Sequence, residues 1–192
     1  MEPTELPPSE LGTRTYWQES YSKEISNFDD HGDPGDVWFG EDTAYRVIAW
    51  ISKADLSCGN GYTLSQLARE GFTDLLGVDY CPEAITLAEK MSVCYASQFT
   101  TKFGVVHDKG TYDAISLNPD EAKEHRLKYI EQVSNLLDDN GIFIITSCNW
   151  SEQELISQFS DKLKLKCVIP TPQFKFGGKT GSMTSSVVFT KK

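Results

Sequence analysis

The chain has 192 residues, 39% of them hydrophobic, which is enough for one core-bearing domain and too few for two. Acidic residues number 28 against 18 lysines and arginines, a formal charge of −10. That balance argues against direct nucleic-acid binding, which depends on basic side chains neutralising phosphates, and it is compatible with a basic or lysine-bearing protein partner.

No apolar run approaches membrane-spanning length, and the acidic, Pro-rich start has no signal-peptide core, so a soluble intracellular protein is expected. The five cysteines (58, 81, 94, 148 and 167) are odd in number and form no Cys-x-x-Cys pair. Reduced thiols fit that pattern better than disulfides, and no metal site is expected.

In chain order, residues 1–11 read as a flexible tail ahead of a single domain spanning 12–192. Aromatics at helical spacing (Tyr16, Trp17, Tyr21) predict a short helix, and Gly32-Asp33-Pro34-Gly35 a turn. A helix from about Asp42 to Ile51 follows. Ala54 to Leu64 then reads as the end of a short strand, a turn carrying Gly59 and Gly61, and the start of a helix with Leu64, Leu67 and Ala68 on one face. Two residues without Cβ let a ligand approach the backbone, and the helix N-terminus would direct amides and a positive dipole end at it.

Leu75-Leu76-Gly77-Val78-Asp79 predicts a second strand ending in a carboxylate, at about the distance from the glycine turn where nucleotide-binding βαβ units place an acid on ribose hydroxyls. Pro82 opens another helix, fading near Met91. Val93–Ala96 is a poor third strand and Phe103–Asp108 a better fourth. A helix from Asp120 to Leu137 is expected, with Ala122, Leu127, Ile130, Val133, Leu136 and Leu137 as its apolar stripe. Ile142–Thr146 reads as a strand buried on both faces. A helix (Glu152 to Phe159), a strand (Leu163 to Ile169), an aromatic loop and a last strand (Met183 to Phe189) complete the chain. This order predicts an α/β sandwich whose mostly parallel sheet is closed by a C-terminal antiparallel hairpin. Ligands in such sheets bind at strand carboxyl ends, where Gly59, Asp79, Asp108 and the loop Ser147–Trp150 all fall.

The element order and the turn Asp55-Leu56-Ser57-Cys58-Gly59-Asn60-Gly61 resemble class I S-adenosylmethionine-dependent methyltransferases, with a Rossmann-like fold. Longer strings narrow the resemblance: Tyr16-Trp17 with Tyr21, Trp38-Phe39-Gly40-Glu41, Asp108-Lys109-Gly110-Thr111-Tyr112-Asp113-Ala114-Ile115, Thr146-Ser147-Cys148-Asn149-Trp150, and Pro170 to Gly178. Together they are similar to the lysine methyltransferases of translation elongation factor 1-alpha, of the methyltransferase-like 10 kind. The resemblance implies a monomeric enzyme of the cytoplasm, with the nucleus as a second location, that uses S-adenosylmethionine and a protein substrate. It implies that Asp55, Ser57, Gly59 and Gly61 face the methionine end of the cofactor. Asp79 would hold the ribose hydroxyls, with Tyr80 beside the adenine and Trp38 and Phe39 covering the cofactor. Asp108 would sit nearest the sulfonium and the incoming lysine as a positioning residue, the alternative being a structural carboxylate that bonds nearby backbone amides. Tyr112, Trp150, Phe174 and Phe176 are candidates to line the lysine channel, with packing under the C-terminal hairpin the equal alternative for the two phenylalanines. His107 beside Asp108 is expected on the opposite strand face, as a core histidine.

The chain departs from that pattern in three places. Ser57 stands where relatives carry glycine, the first strand is short before Asp55, and Lys90–Gly104 is too short for a full helix, strand and loop. Gln98 is the nearest candidate to meet the adenine amino group at the third strand's end. A catalytically weak chain of the same fold, acting as a binding module, is therefore the alternative. A nicotinamide-dependent dehydrogenase is disfavoured, because Leu64 stands where the last glycine of its fingerprint belongs.

Overall fold

The computed structural model describes residues 5–51, 62–72, 75–90, 102–176 and 179–192, the side chains of 173–182 excepted. A short 3-10 turn at Glu10–Gly12 precedes the helices α1 (Arg14–His31), α2 (Glu41–Ile51), α3 (Tyr62–Arg69) and α4 (Pro82–Lys90). Then come β1 (Phe103–Lys109), α5 (Thr111–Leu117), α6 (Ala122–Leu136), β2 (Leu137–Ser147) and α7 (Glu152–Phe159). The strands β3 (Leu163–Ile169), β4 (Gln173–Phe176), β5 (Lys179–Ser182) and β6 (Ser185–Lys191) follow.

Four strands form one mixed sheet in the order β1-β2-β6-β3. β1 and β2 are parallel, while β6 runs antiparallel to both β2 and β3. β4 and β5 make a separate hairpin. Alternation along the strands divides the core in two. Phe143, Ile145, Val187 and Phe189 pack against Tyr112, Ile130 and Phe159 on one face. Ile144 and Val188 pack with Val47, Ile48, Ile51 and Leu67 on the other. The register that pairs Phe143 with Phe189 and Ile144 with Val188 keeps those two sets apart. The result is the expected α/β sandwich, with helices over both sheet faces, but among the described strands the sheet is mixed rather than mostly parallel, because β6 inserts antiparallel between β2 and β3. Each fully buried ring in the Phe143–Phe159–Phe189 cluster contributes roughly 1.5–3 kcal/mol through the apolar area it removes from water.

Local sequence explains most boundaries. The Thr13 hydroxyl accepts from the Tyr16 amide at the start of α1, and Gly32, at φ 72°, ends it in the left-handed region. α1 thus runs 18 residues, well beyond the short helix expected. Ser151 and Glu154 form a capping box on α7, whose bounds match the sequence reading. The helix after the glycine turn buries Thr63, Leu64 and Leu67, while Ala68 is exposed.

Other expectations are corrected. Residues 5–12 are docked rather than trailing: the Ser9 amide donates to the Leu117 carbonyl, Glu5 pairs with Arg126 at 2.6 Å, and Leu6 packs on the core. A Cβ on Gly12 would lie 2.3 Å from the Leu117–Asn118 backbone, so the segment can approach α5 only as glycine. Residues 75–79, expected as a strand, join neither sheet among the described residues. The expected first strand before Asp55 and third strand at 93–96 lie outside the described residues. Helix α5 was not expected at all. No helix among the described residues is long and apolar enough to cross a membrane.

Candidate active site

A cavity of about 620 Å3 opens at the carboxyl ends of β1 and β2. One wall is aromatic. Trp17 of α1 packs at a tilt against both Tyr21 and Trp38, with the Trp17 and Trp38 ring centroids 4.7 Å apart, and the Trp17 indole N–H donates to the Leu11 carbonyl at 2.8 Å. Phe39 adopts a left-handed φ of 65°, uncommon for a bulky residue. Its ring lies over Gly110, where a Cβ would come within 3.3 Å of it. The Lys109 ammonium donates to the Trp38 carbonyl at 3.2 Å, tying this turn to the end of β1.

Asp79 and Tyr80 border the same cavity. The Cys81 amide donates to Asp79 Oδ1 at 2.8 Å, just ahead of α4. Burial raises the Asp79 carboxyl, against the lowering effect of the Cys81 and Tyr80 amides. Tyr80 is half exposed, and loss of hydration followed by the Asp79 charge pushes its phenol up to about 12.

Asp108 ends the buried stretch of β1, paired with Ile145 of β2. Its carboxylate accepts from the Thr111 and Tyr112 amides at 3.0 and 3.1 Å, the first turn of α5, and from the Tyr129 hydroxyl of α6. Desolvation raises its pKa to about 7; the Tyr129 hydrogen bond opposes that and nearby Asp113 adds to it. Asp113 is buried and accepts from the Ser147 hydroxyl and the Cys148 amide, joining α5 to the loop after β2. Burial raises its carboxyl too. The cavity therefore holds two carboxylates kept out of water by the fold. Among the described residues no group of acidic, histidine or cysteine side chains could hold a metal ion.

Of the residues singled out from sequence, Trp38, Phe39, Asp79, Tyr80 and Asp108 line this one cavity. Tyr112 and Trp150 do not. Tyr112 is 1% exposed and donates its hydroxyl to Gln158, while the indole N–H of Trp150 donates to the Ser116 hydroxyl. Both aromatic side chains find their polar partners inside the core, which removes them from a channel role. His107 is buried as expected, yet it also borders the cavity. Asp55, Ser57, Gly59, Gly61 and Gln98 lie outside the described residues. Phe174 and Phe176 stand on β4, and their side chains are likewise not described.

Sequence reasoning missed Tyr129 and Asp113. For α6 the expected apolar stripe holds at Ile130, Val133 and Leu137, which are buried, but not at Leu127, which is 61% exposed; Arg126 is buried instead, and Tyr129 reaches Asp108. The usable signal was the Arg126–Tyr129–Ile130–Val133 spacing, with the two polar heads turned inward.

The family model described as "Methyltransferase domain" matches residues 52–185. The chain belongs to that methyltransferase family. It is 40% identical to EEF1A lysine methyltransferase 2 of Homo sapiens over 96% of this chain and 88% of that protein. It is 36% identical to the protein-lysine N-methyltransferase efm4 of Schizosaccharomyces pombe, over 96% and 95% of the two chains. Among solved structures, the N-methyltransferase NodS from Bradyrhizobium japonicum, in complex with S-adenosyl-l-homocysteine, superposes with a TM-score of 0.64. The superposition covers 91% of this chain and 97% of that one at 14% identity, a likeness of fold. A TehB-like SAM-dependent methyltransferase from Corynebacterium glutamicum gives 0.59, over 93% and 100% at 21% identity. The α/β architecture is thus that of the methyltransferase domains.

Proposed function

We propose that this chain is a protein-lysine N-methyltransferase that uses S-adenosylmethionine and acts on a lysine of translation elongation factor 1-alpha. What carries the reading is one cavity shared by Asp79, the Trp38–Phe39 wall and Asp108, in a chain 40% identical over nearly its full length to an EEF1A lysine methyltransferase.

The cavity suits such a cofactor. Its volume falls within the ~300–1,000 Å3 usual for small-molecule sites. Its aromatic wall offers stacking surface, and Asp79 has acceptor capacity beyond the Cys81 amide for sugar hydroxyls. Tyr80 would lie beside the base. S-adenosylmethionine, when bound, supplies a methyl group on a sulfonium that a neutral amine can displace.

The chain's own part is to orient, dehydrate and deprotonate. Such a site accelerates transfer most by holding the two reactants in line. A lysine in water has a pKa near ~10.4, and a low-polarity cavity lowers it. Asp108, raised to about 7, attracts the ammonium as a carboxylate and can take a proton from lysine Nζ onto a carboxylate oxygen. The reading includes a monomer acting in the cytoplasm.

The alternative, a fold-retaining chain without activity, has one observation on its side: Asp108 already accepts three hydrogen bonds from within the fold. One pair of measurements separates the two. Calorimetry with S-adenosylhomocysteine, alongside methylation of purified elongation factor 1-alpha read by mass spectrometry, should give micromolar binding and a methylated lysine. Binding without transfer favours the alternative, and absence of both overturns the reading.

A further inference from the structure

The cavity contains a group that the lysine-transfer reading does not use. Tyr129, on α6, reaches across to Asp108, which lies at the end of β1, and donates its hydroxyl to Asp108 Oδ2. The two residues come from different elements and border the same cavity. The remaining hydrogen bonds on Asp108 come from backbone amides at one helix start, which hold the carboxylate from one side. Tyr129 is the side chain that closes the arrangement from α6. Its ring packs against Tyr112 with centroids 5.3 Å apart, so the phenol is held in place as well as hydrogen-bonded.

We propose that Tyr129 is a positioning residue for methyl transfer, whose donated hydroxyl keeps the Asp108 carboxylate both oriented and ionised where the substrate ammonium must arrive. This rests on the assignment of Asp108 to the lysine end of the site.

The chemistry is one of competition. Burial drives Asp108 toward its neutral form, and a neutral carboxyl neither attracts an ammonium nor accepts its proton. A hydroxyl donated to the carboxylate favours the charged form. The other groups around the pair do not replace it. Asp113 of α5 repels the charge, and its own oxygens are taken by Ser147 and Cys148. The Lys109 ammonium is directed to the Trp38 carbonyl, and Arg126 of α6 to Glu5 and the Trp150 face. His107 of β1 borders the cavity, Tyr112 donates to Gln158, and the Cys148 thiol is pushed up to about 12, chiefly by burial. Among the hydrogen bonds of the described residues, removal of the Tyr129 hydroxyl leaves the Thr111 and Tyr112 amides to oppose desolvation of Asp108.

The test is the pH profile of Tyr129→Phe, which keeps the ring and its packing. A hydrogen bond to a charged group is worth about one pH unit of carboxyl titration or more. The acid limb of kcat/KM for elongation factor methylation should move up by about one unit, with activity at pH 7 down about fivefold and largely recovered by pH 9. S-adenosylhomocysteine affinity should stay within about threefold of the parent. Carboxyl-carbon NMR should show the same upward move for Asp108. Tyr129→His, which restores a donor, should move the limb part of the way back, and it serves on its own should Tyr129→Phe fail to fold. A Tyr129→Phe profile that superposes on the parent, while Asp108→Asn is inactive with cofactor binding intact, overturns the inference and leaves the Asp108 assignment standing. Full activity in Asp108→Asn overturns that assignment and this inference together. Loss of S-adenosylhomocysteine binding in Tyr129→Phe also overturns it, because the phenol would then serve the cofactor.

Discussion

Replacing Asp108 by Asn should change the pH dependence of stability in a calculable direction. The carboxyl titrates at about 7 in the folded chain against an ordinary value of 3.8, mainly because the fold dehydrates it. Between those values the native state holds more protons than the unfolded one, so stability is fully present below pH 3.8 and falls as pH rises toward 7. Three pH units at ~1.4 kcal/mol each amount to about 4 kcal/mol for carrying the charge. Asn cannot ionise, and the difference between the two proteins isolates this one group. At pH 5 Asn should be the less stable by about 1–2 kcal/mol, since its single oxygen cannot serve both α5 amides. By pH 8 the difference should have moved about 3 kcal/mol in favour of Asn, two units of the window at ~1.4 kcal/mol each. Urea unfolding followed by tryptophan fluorescence at half-unit steps reads this directly. A difference that stays constant from pH 5 to 8 refutes the argument, because Asp108 would then titrate as it does in the unfolded chain.

Asp79→Ala should raise the dissociation constant of S-adenosylhomocysteine by about tenfold or more, the loss of a charged hydrogen bond worth ~1.5–3 kcal/mol, as read by calorimetry. Gly110→Ala should destabilise the fold by about 1–3 kcal/mol, because φ is 92° there and the new methyl meets Phe39 at 3.3 Å; chemical denaturation checks it, and an unchanged midpoint contradicts it. Cys148 is exposed, yet burial of its sulfur followed by the Asp113 charge pushes the thiol up to about 12. It should react with iodoacetamide at pH 8 at least tenfold more slowly than a model thiol, as followed by peptide mass spectrometry, since the thiolate is the reactive form.

What the sequence disclosed depended on how local each cause was. The near-continuous apolar run 142–146 is typical of a strand buried on both faces and lies in β2, and the helix expected over Glu152 to Phe159 is α7 to the residue. α5 escaped notice because seven residues carry little periodicity. Its start is fixed instead by a carboxylate three and four residues upstream, whose role is visible only once Asp108 points back at the Thr111 and Tyr112 amides. The N-terminal segment looked like a tail for a similar reason. The cation that receives Glu5 is Arg126, 121 residues away and 4% exposed. Asp108 was legible because strand ends in such sheets face the ligand side; Asp79 borders the same cavity from a segment that joins neither sheet among the described residues. Tyr112 and Trp150 sit near the cavity in sequence but turn inward, a choice made by Gln158 and Ser116 on the other side of the core.

The order in which the sheet closes bears on how the newborn chain must behave. β2 and β3 are not neighbours; β6, the last of the strands to be synthesised, lies between them and pairs with both. Until it arrives, the β2 edge stays open and β3 lacks the strand it pairs with among the described residues, the kind of intermediate that attracts chaperones or clumps. A ribosome stalled short of residue 185 would thus release a product that cannot complete this sheet, however much of the chain had already been made.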